Sequence, residues 1–195
     1  MPYVRVGGIE PGATTALLLA QTHPERVERL VLRSPAPFGA DMIPVRRALG
    51  AIAWSYQVLG TSLTARIAAM RPNPIGPERT RTLMQEQRRA SIVPALRGFP
   101  VEPLDTEHLH TIEAPSLILT QPADALHPLR SGDILYGLLP RAALCIAPTT
   151  TFWNGHLEET ADLIAAFVHG RDGFTKRFAA AHACRLVSRD SSNDA

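Results

Sequence analysis

The residues best arranged for chemistry lie in one tight run, Gly7-Gly8-Ile9-Glu10-Pro11-Gly12-Ala13-Thr14, between a strand-like stretch and a helix-forming one. A sharp turn with small residues on either side lifts one side chain clear of a sheet and presents it at a helix N-terminus. Here that side chain is the carboxylate of Glu10. A carboxylate so placed can attack carbon and form an ester intermediate, can act as a general base, or can sit inert on a scaffold. The helix N-terminus favours its anion, which makes it a weak base near neutrality. Pro11 comes next and has no N–H, so an oxyanion contact that relies on the amide after the nucleophile is lost.

Two more titratable residues could serve such chemistry. Asp124 sits in the turn Gln121-Pro122-Ala123-Asp124-Ala125-Leu126-His127-Pro128, and His156 follows Gly155 just ahead of a periodic apolar stretch. An acid that orients a histidine base would complete a nucleophile of either kind. Each also has a plain structural role: a turn aspartate caps backbone N–H groups, and a histidine at a helix start is an ordinary surface residue. The glycine run overlaps the spacing of a phosphate loop, G-x-x-x-x-G-K-[ST], but Ala13 takes the lysine position and Glu10 would repel phosphate. There is no G-x-G-x-x-G, so dinucleotide binding has no support.

The elements that must hold these groups are legible in the hydrophobic pattern. Tyr3 to Gly7 reads as a strand, Ala13 to Thr22 as a helix with Pro11 at its start, and Val27 to Arg33 as a strand that is apolar on both faces at Leu30, Val31 and Leu32. That is a βαβ crossover. From Ser34 to His110, helical stretches (Val45 to Leu59, Leu63 to Met70, Glu78 to Arg89) alternate with Pro35, Pro37, Pro44, Pro72, Pro74, Pro77, Pro94, Pro100 and Pro103, a pattern that excludes central strands. The α/β pattern resumes with a strand at Ser116 to Thr120, a helix from about Pro128 to Leu139, a strand at Ala142 to Ala147 and a helix at Glu158 to Val168 stopped by Gly170. Phe174 to Val187 is weakly amphipathic, and Ser188 to Ala195 is polar enough to be disordered.

The run from Tyr3 to Leu32, with small-x-Glu10-x-small at its turn, resembles the nucleophile-elbow region of the α/β-hydrolase family. Glu113 to Val168 is similar to the family's second half, with Asp124 on the position of the acidic triad member. The resemblance implies an α/β fold: a partial α/β-hydrolase core of about four parallel strands, equivalent to strands five to eight, with flanking helices and a helical cap. Residues 1–37 and 111–170 would form the core, 38–110 the cap, and 171–195 a partly disordered C-terminal extension. The histidine slot after the last strand falls on Thr151, Phe152 or Trp153, so His156 would serve only from a longer loop. The family's strands before the elbow and its second oxyanion loop do not occur here, which reads as the C-terminal part of a longer protein.

The resemblance therefore implies a hydrolase fold with impaired chemistry, since the serine, the histidine in register and one oxyanion donor are missing together. The alternatives are a hydrolase with Glu10 as carboxylate nucleophile or base acting on a small apolar substrate, and a non-catalytic binding module. Ile52, Trp54, Tyr56 and Met70 would line a pocket for a small apolar molecule under the cap, unless they are simply its core. Neither a metal nor an organic cofactor is called for. With 195 residues, 45% hydrophobic, a net charge of +2, scattered arginines and a single lysine, Lys176, the chain has no basic block for nucleic acid and no apolar run long enough for a membrane. Cys145 and Cys184 make no disulfide framework, so a reducing cytoplasmic setting is expected. An uncovered strand at Tyr3 to Gly7 would invite self-association or a partner chain.

Overall fold

Successive residues of the second strand point to opposite faces and its central Leu30, Val31 and Leu32 are all buried, which requires cover on both sides of the sheet. The computed structural model describes residues 3–36, 42–70, 77–97, 106–124 and 127–188. Pro37, Pro72, Pro74, Pro100, Pro103 and the tail from residue 189 lie outside the described residues. Among the described residues the sheet has five strands in the order β1 (Val4–Ile9), β2 (Val27–Arg33), β3 (Ser116–Thr120), β4 (Ala142–Ile146) and β5 (Arg185–Ser188). The first four are parallel, as the periodicity predicts. The fifth runs antiparallel to β4, with Leu186 opposite Cys145 and Ser188 opposite Ala143.

That last strand is a correction to the sequence reading. Ser188, expected at the start of a polar tail, closes the sheet instead, and the stretch before it forms helix α9 (Asp172–Ala181). A strand of four residues has too little pattern to stand out from a short loop. Its partner, the β4 edge, supplies the hydrogen bonds that make it a strand.

Two apolar layers sandwich the sheet. On one face Leu30, Leu32, Ile118, Leu144 and Ile146 pack against Ala13, Leu17 and Ala20 of α1 (Pro11–Thr22) and Leu135 of α6 (Leu129–Leu138). On the other, Val31, Leu117, Leu119 and Cys145 meet Phe152 and Trp153 of the single-turn α7 (Phe152–Gly155), Leu163 and Phe167 of α8 (Leu157–Val168), and Phe178 of α9. Each fully buried leucine or phenylalanine contributes about 1.5–3 kcal/mol, so these faces dominate the stability. Residues Phe178 and Ala179 thus tie the last helix into the core.

Among the described residues between β2 and β3 are four α-helices, α2 (Met42–Val58), α3 (Gly60–Ala69), α4 (Pro77–Glu86) and α5 (Arg89–Arg97). They build a small core of their own from Ala53, Tyr56 and Val93, with Ile52, Met84, Ile92 and Leu96 around it. Tyr56 is fully buried and its hydroxyl donates to the Met84 carbonyl at 2.9 Å, while Trp54 and Met70 are exposed. Pro94 lies inside α5, where it removes one helical N–H donor.

Candidate functional site

Parallel strands deliver the loops that follow them to one end of the sheet, so Glu10 after β1, Arg33 and Ser34 at the end of β2, Gln121 to Asp124 and His127 after β3 and Thr149 to His156 after β4 share that end. Cross-links between these loops hold them in place. The Trp153 indole N–H donates to the Thr120 carbonyl at 2.9 Å, and the Thr150 hydroxyl donates to the Pro122 carbonyl at 2.9 Å.

Glu10 is the turn residue that the glycine pattern predicts. Its φ is 56° and its ψ is −119°, a combination that costs a residue other than glycine on the order of 1–3 kcal/mol. Its N–H donates to the Arg33 carbonyl and its own carbonyl accepts from the Ala13 N–H, so the backbone around it is pinned on both sides. The carboxylate is exposed and makes no capping bond to the helix it precedes. A β-carbon on Gly8 would overlap the Gly12 carbonyl and the Ala13 amide. A β-carbon on Gly12 would meet nothing, so the need for a small residue holds on one flank of the turn only.

The loop after β3 builds a closed polar set. Asp124 is buried; its Oδ2 accepts from the Gln121 Nε2 at 2.7 Å and lies 3.1 Å from the His127 Nδ1, while its Oδ1 accepts from the His127 N–H at 3.1 Å. Gln121 in turn exchanges hydrogen bonds with the buried hydroxyl of Ser34 at 3.0–3.2 Å. Burial alone would raise the Asp124 carboxyl, but hydrogen bonds and charge from His127, with the Gln121 amide, outweigh it and hold the group below its ordinary value. His127 is therefore the histidine that the structure sets beside Asp124.

His156 lies elsewhere in the same loop system. Its ring stacks on Phe152 with centroids 4.3 Å apart, its Nδ1 is 3.1 Å from the Phe152 carbonyl, and His182 lies edge-on at 5.9 Å. A carbonyl orients a ring and sets its tautomer, but it lacks the full charge with which a carboxylate stabilises an imidazolium. Sharing a loop system has not brought His156 to Asp124.

A cation that the sequence reading does not single out lies at the end of β2. Arg33 Nη2 donates to the Asn154 Oδ1 at 2.7 Å, and its buried Nε has no partner among the described residues. Burial lowers the guanidinium's proton affinity, and the charge of Glu10 partly restores it. In the sequence Arg33 marks only the end of an apolar strand; a charged residue directly after Leu30-Val31-Leu32 is the signal that could have found it. No three His, Cys, Asp or Glu side chains cluster as metal ligands among the described residues. No described helix is long and apolar enough to cross a membrane.

No protein-family model matches the sequence, and no curated protein matches it. Solved structures do match. A hydrolase from Pseudomonas aeruginosa PA01 is 19% identical and superposes on 86% of this chain and 65% of its own, with a TM-score of 0.63. An esterase from Exiguobacterium antarcticum is 15% identical over 87% of this chain and 68% of its own, with a TM-score of 0.66. The enol-lactonase from Burkholderia xenovorans LB400 is 18% identical over 89% of this chain and 66% of its own, with a TM-score of 0.61. The chain has a partial α/β-hydrolase fold. It spans 65% of the length of the Pseudomonas hydrolase, and among the described residues β1 is an edge of the sheet. Within this hydrolase fold, the strand-turn-helix unit that carries Glu10 and the β3 loop that carries Asp124 lie at the same end of the sheet.

Proposed function

We propose that this hydrolase-fold chain is a binding scaffold whose ester chemistry is impaired. The observation that carries the reading is the strained turn residue itself: Glu10 occupies the position from which a nucleophile would act. Three further features support it. Pro11 offers no N–H to a developing oxyanion, His156 is engaged with Phe152, and Asp124 is engaged with His127 and Gln121. Loss of one oxyanion donor alone costs about a hundredfold or more in rate.

The test is hydrolysis of activated short-chain esters by the purified chain. Turnover is expected to stay at the background set by surface residues, and to be the same in Glu10→Gln and His156→Ala. A rate well above background that both substitutions abolish would replace this reading with one in which Glu10 is a carboxylate nucleophile and His156 its base.

The proposal extends to the sheet edge. Among the described residues, strand β1 pairs with β2 on one side only, and Tyr3, Val4 and Ile9 are 70%, 45% and 55% exposed. A free row of backbone donors and acceptors beside exposed apolar side chains is a template for another strand, from a second copy or another chain. Light scattering at rising concentration is expected to show association that Val4→Lys weakens. A monomer at every concentration, indifferent to that substitution, would rule it out.

A further inference from the structure

Charge is unevenly divided along this chain. Residues 42–97, which hold helices α2 to α5, contain nine arginines and two glutamates, a net charge of +7 against +2 for the whole chain. Neither α2 nor α3 contains an acidic residue. Arg46, Arg47 and Arg66 are exposed, and none of the three has an ion-pair partner among the described residues.

The same two helices hold apolar side chains out in rows. In α2 the buried face carries Leu49, Ala53 and Tyr56, while Ile43, Arg47, Trp54 and Val58, at spacings of four, seven and four residues, line the opposite face. In α3 Thr64 and Ala65 are buried, and Leu63, Ile67 and the capping residue Met70 recur at helical spacing on the side away from them. Trp54 is 57% exposed and Met70 84%. Apolar residues gathered on one face in this way mark an interaction surface, whereas singly scattered ones do not.

We propose that the outward faces of α2 and α3 dock on an anionic lipid bilayer, with their apolar rows at the acyl boundary and their arginines on the lipid phosphates. A helix that lies on a membrane needs no spanning length; it needs an apolar face, cations beside it and few acids. Arg47 falls within the apolar row of α2, where its aliphatic stem can stay among the apolar groups while the guanidinium reaches up to the phosphates. Trp54 suits the same boundary, since its ring is apolar and its N–H polar. Charge decides the occupant. A second copy meeting this face about a two-fold axis would bring together two segments of net +7, which repel, whereas an anionic surface attracts every arginine within a Debye length.

The test is flotation of the full chain on a density gradient with vesicles of equal parts phosphatidylcholine and phosphatidylglycerol, beside vesicles of phosphatidylcholine alone. The chain is expected to float with the anionic vesicles, to stay behind with the zwitterionic ones, and to be released by salt. Tryptophan emission should move to shorter wavelength on binding, and because Trp153 is already buried in the core, that shift reports Trp54. The double substitution Arg46→Gln/Arg47→Gln is expected to weaken binding about 30-fold. Trp54→Ser should weaken binding and remove the shift, while Arg141→Gln, an exposed arginine outside these helices, should bind as the wild type does. No flotation with anionic vesicles at low salt, or flotation that leaves the emission unchanged and is indifferent to these substitutions, would overturn the proposal. So would self-association that Trp54→Ser removes, or binding of a DNA duplex with the vesicles left free, since the face would then belong to a second copy or to nucleic acid.

Discussion

Gly8→Ala is expected to destabilise the fold by about 3 kcal/mol, near the upper end of overpacking costs. The added methyl would overlap backbone atoms, the Gly12 carbonyl and the Ala13 amide, which cannot swing aside as a side chain can. Relief requires α1 to back away from β1, and α1 carries Ala13, Leu17 and Ala20 into the core. Gly12→Ala is the internal control. Its β-carbon meets nothing and it lies in the first turn of α1, so alanine is expected to be neutral or to stabilise by about 0.5–1 kcal/mol through the entropy of the unfolded chain. Urea unfolding of the two variants measures both. Equal effects would mean that the turn is not held as described.

Asp124→Ala is expected to cost about 3–5 kcal/mol, because it leaves the part-buried His127 without its carboxylate and the buried Gln121 amide with the Ser34 hydroxyl alone to accept. For a chain of this size each kcal/mol shifts the midpoint by about 2–4 °C, so the melting temperature should fall by roughly 6–20 °C. Asp124→Asn should cost less, about 1–3 kcal/mol, since one amide oxygen can still accept the His127 N–H while the NH2 group faces donors. A turn aspartate with only local backbone bonds would tolerate asparagine almost freely.

The pH dependence follows from the direction of the Asp124 shift. Its carboxyl is held below the ordinary value of 3.8, so the unfolded chain takes up the proton first as acid is added. The stabilisation is complete above that ordinary value and is lost as the pH falls through the lower value of the folded state. Thermal melts from about pH 5 downward should therefore show a loss of stability in the wild type that is smaller in Asp124→Asn. Parallel curves for the two chains would mean that the carboxylate is not stabilised by its neighbours.

The turn at Glu10 is legible along the chain because its cause is local: glycine must precede it where side chains cannot fit, Pro11 starts the helix, and the flanking patterns switch from strand to helix. Strands β2, β3 and β4 are legible because burial on both faces leaves an apolar run that few other structures tolerate. The four helices between β2 and β3 show through proline spacing and periodicity, although Ile52 and Tyr56, candidates for a pocket by sequence, go to the core of those helices.

Partner choice across the sheet is not legible in this way. Asp124 and His127 are three residues apart in one turn, yet only the folded loop shows that Asp124 pairs with His127 and that His156, on the loop after the neighbouring strand, turns onto Phe152. Arg33 meets Asn154 across 121 positions, and β5 exists only because β4 leaves an edge for it. By itself the sequence determined the strand-turn-helix that presents a carboxylate and the apolar runs of the sheet, because those depend on neighbours along the chain. Only the tertiary structure decided which histidine meets the acid and that Arg33 meets Asn154, because strand order, and not distance along the chain, places those groups side by side.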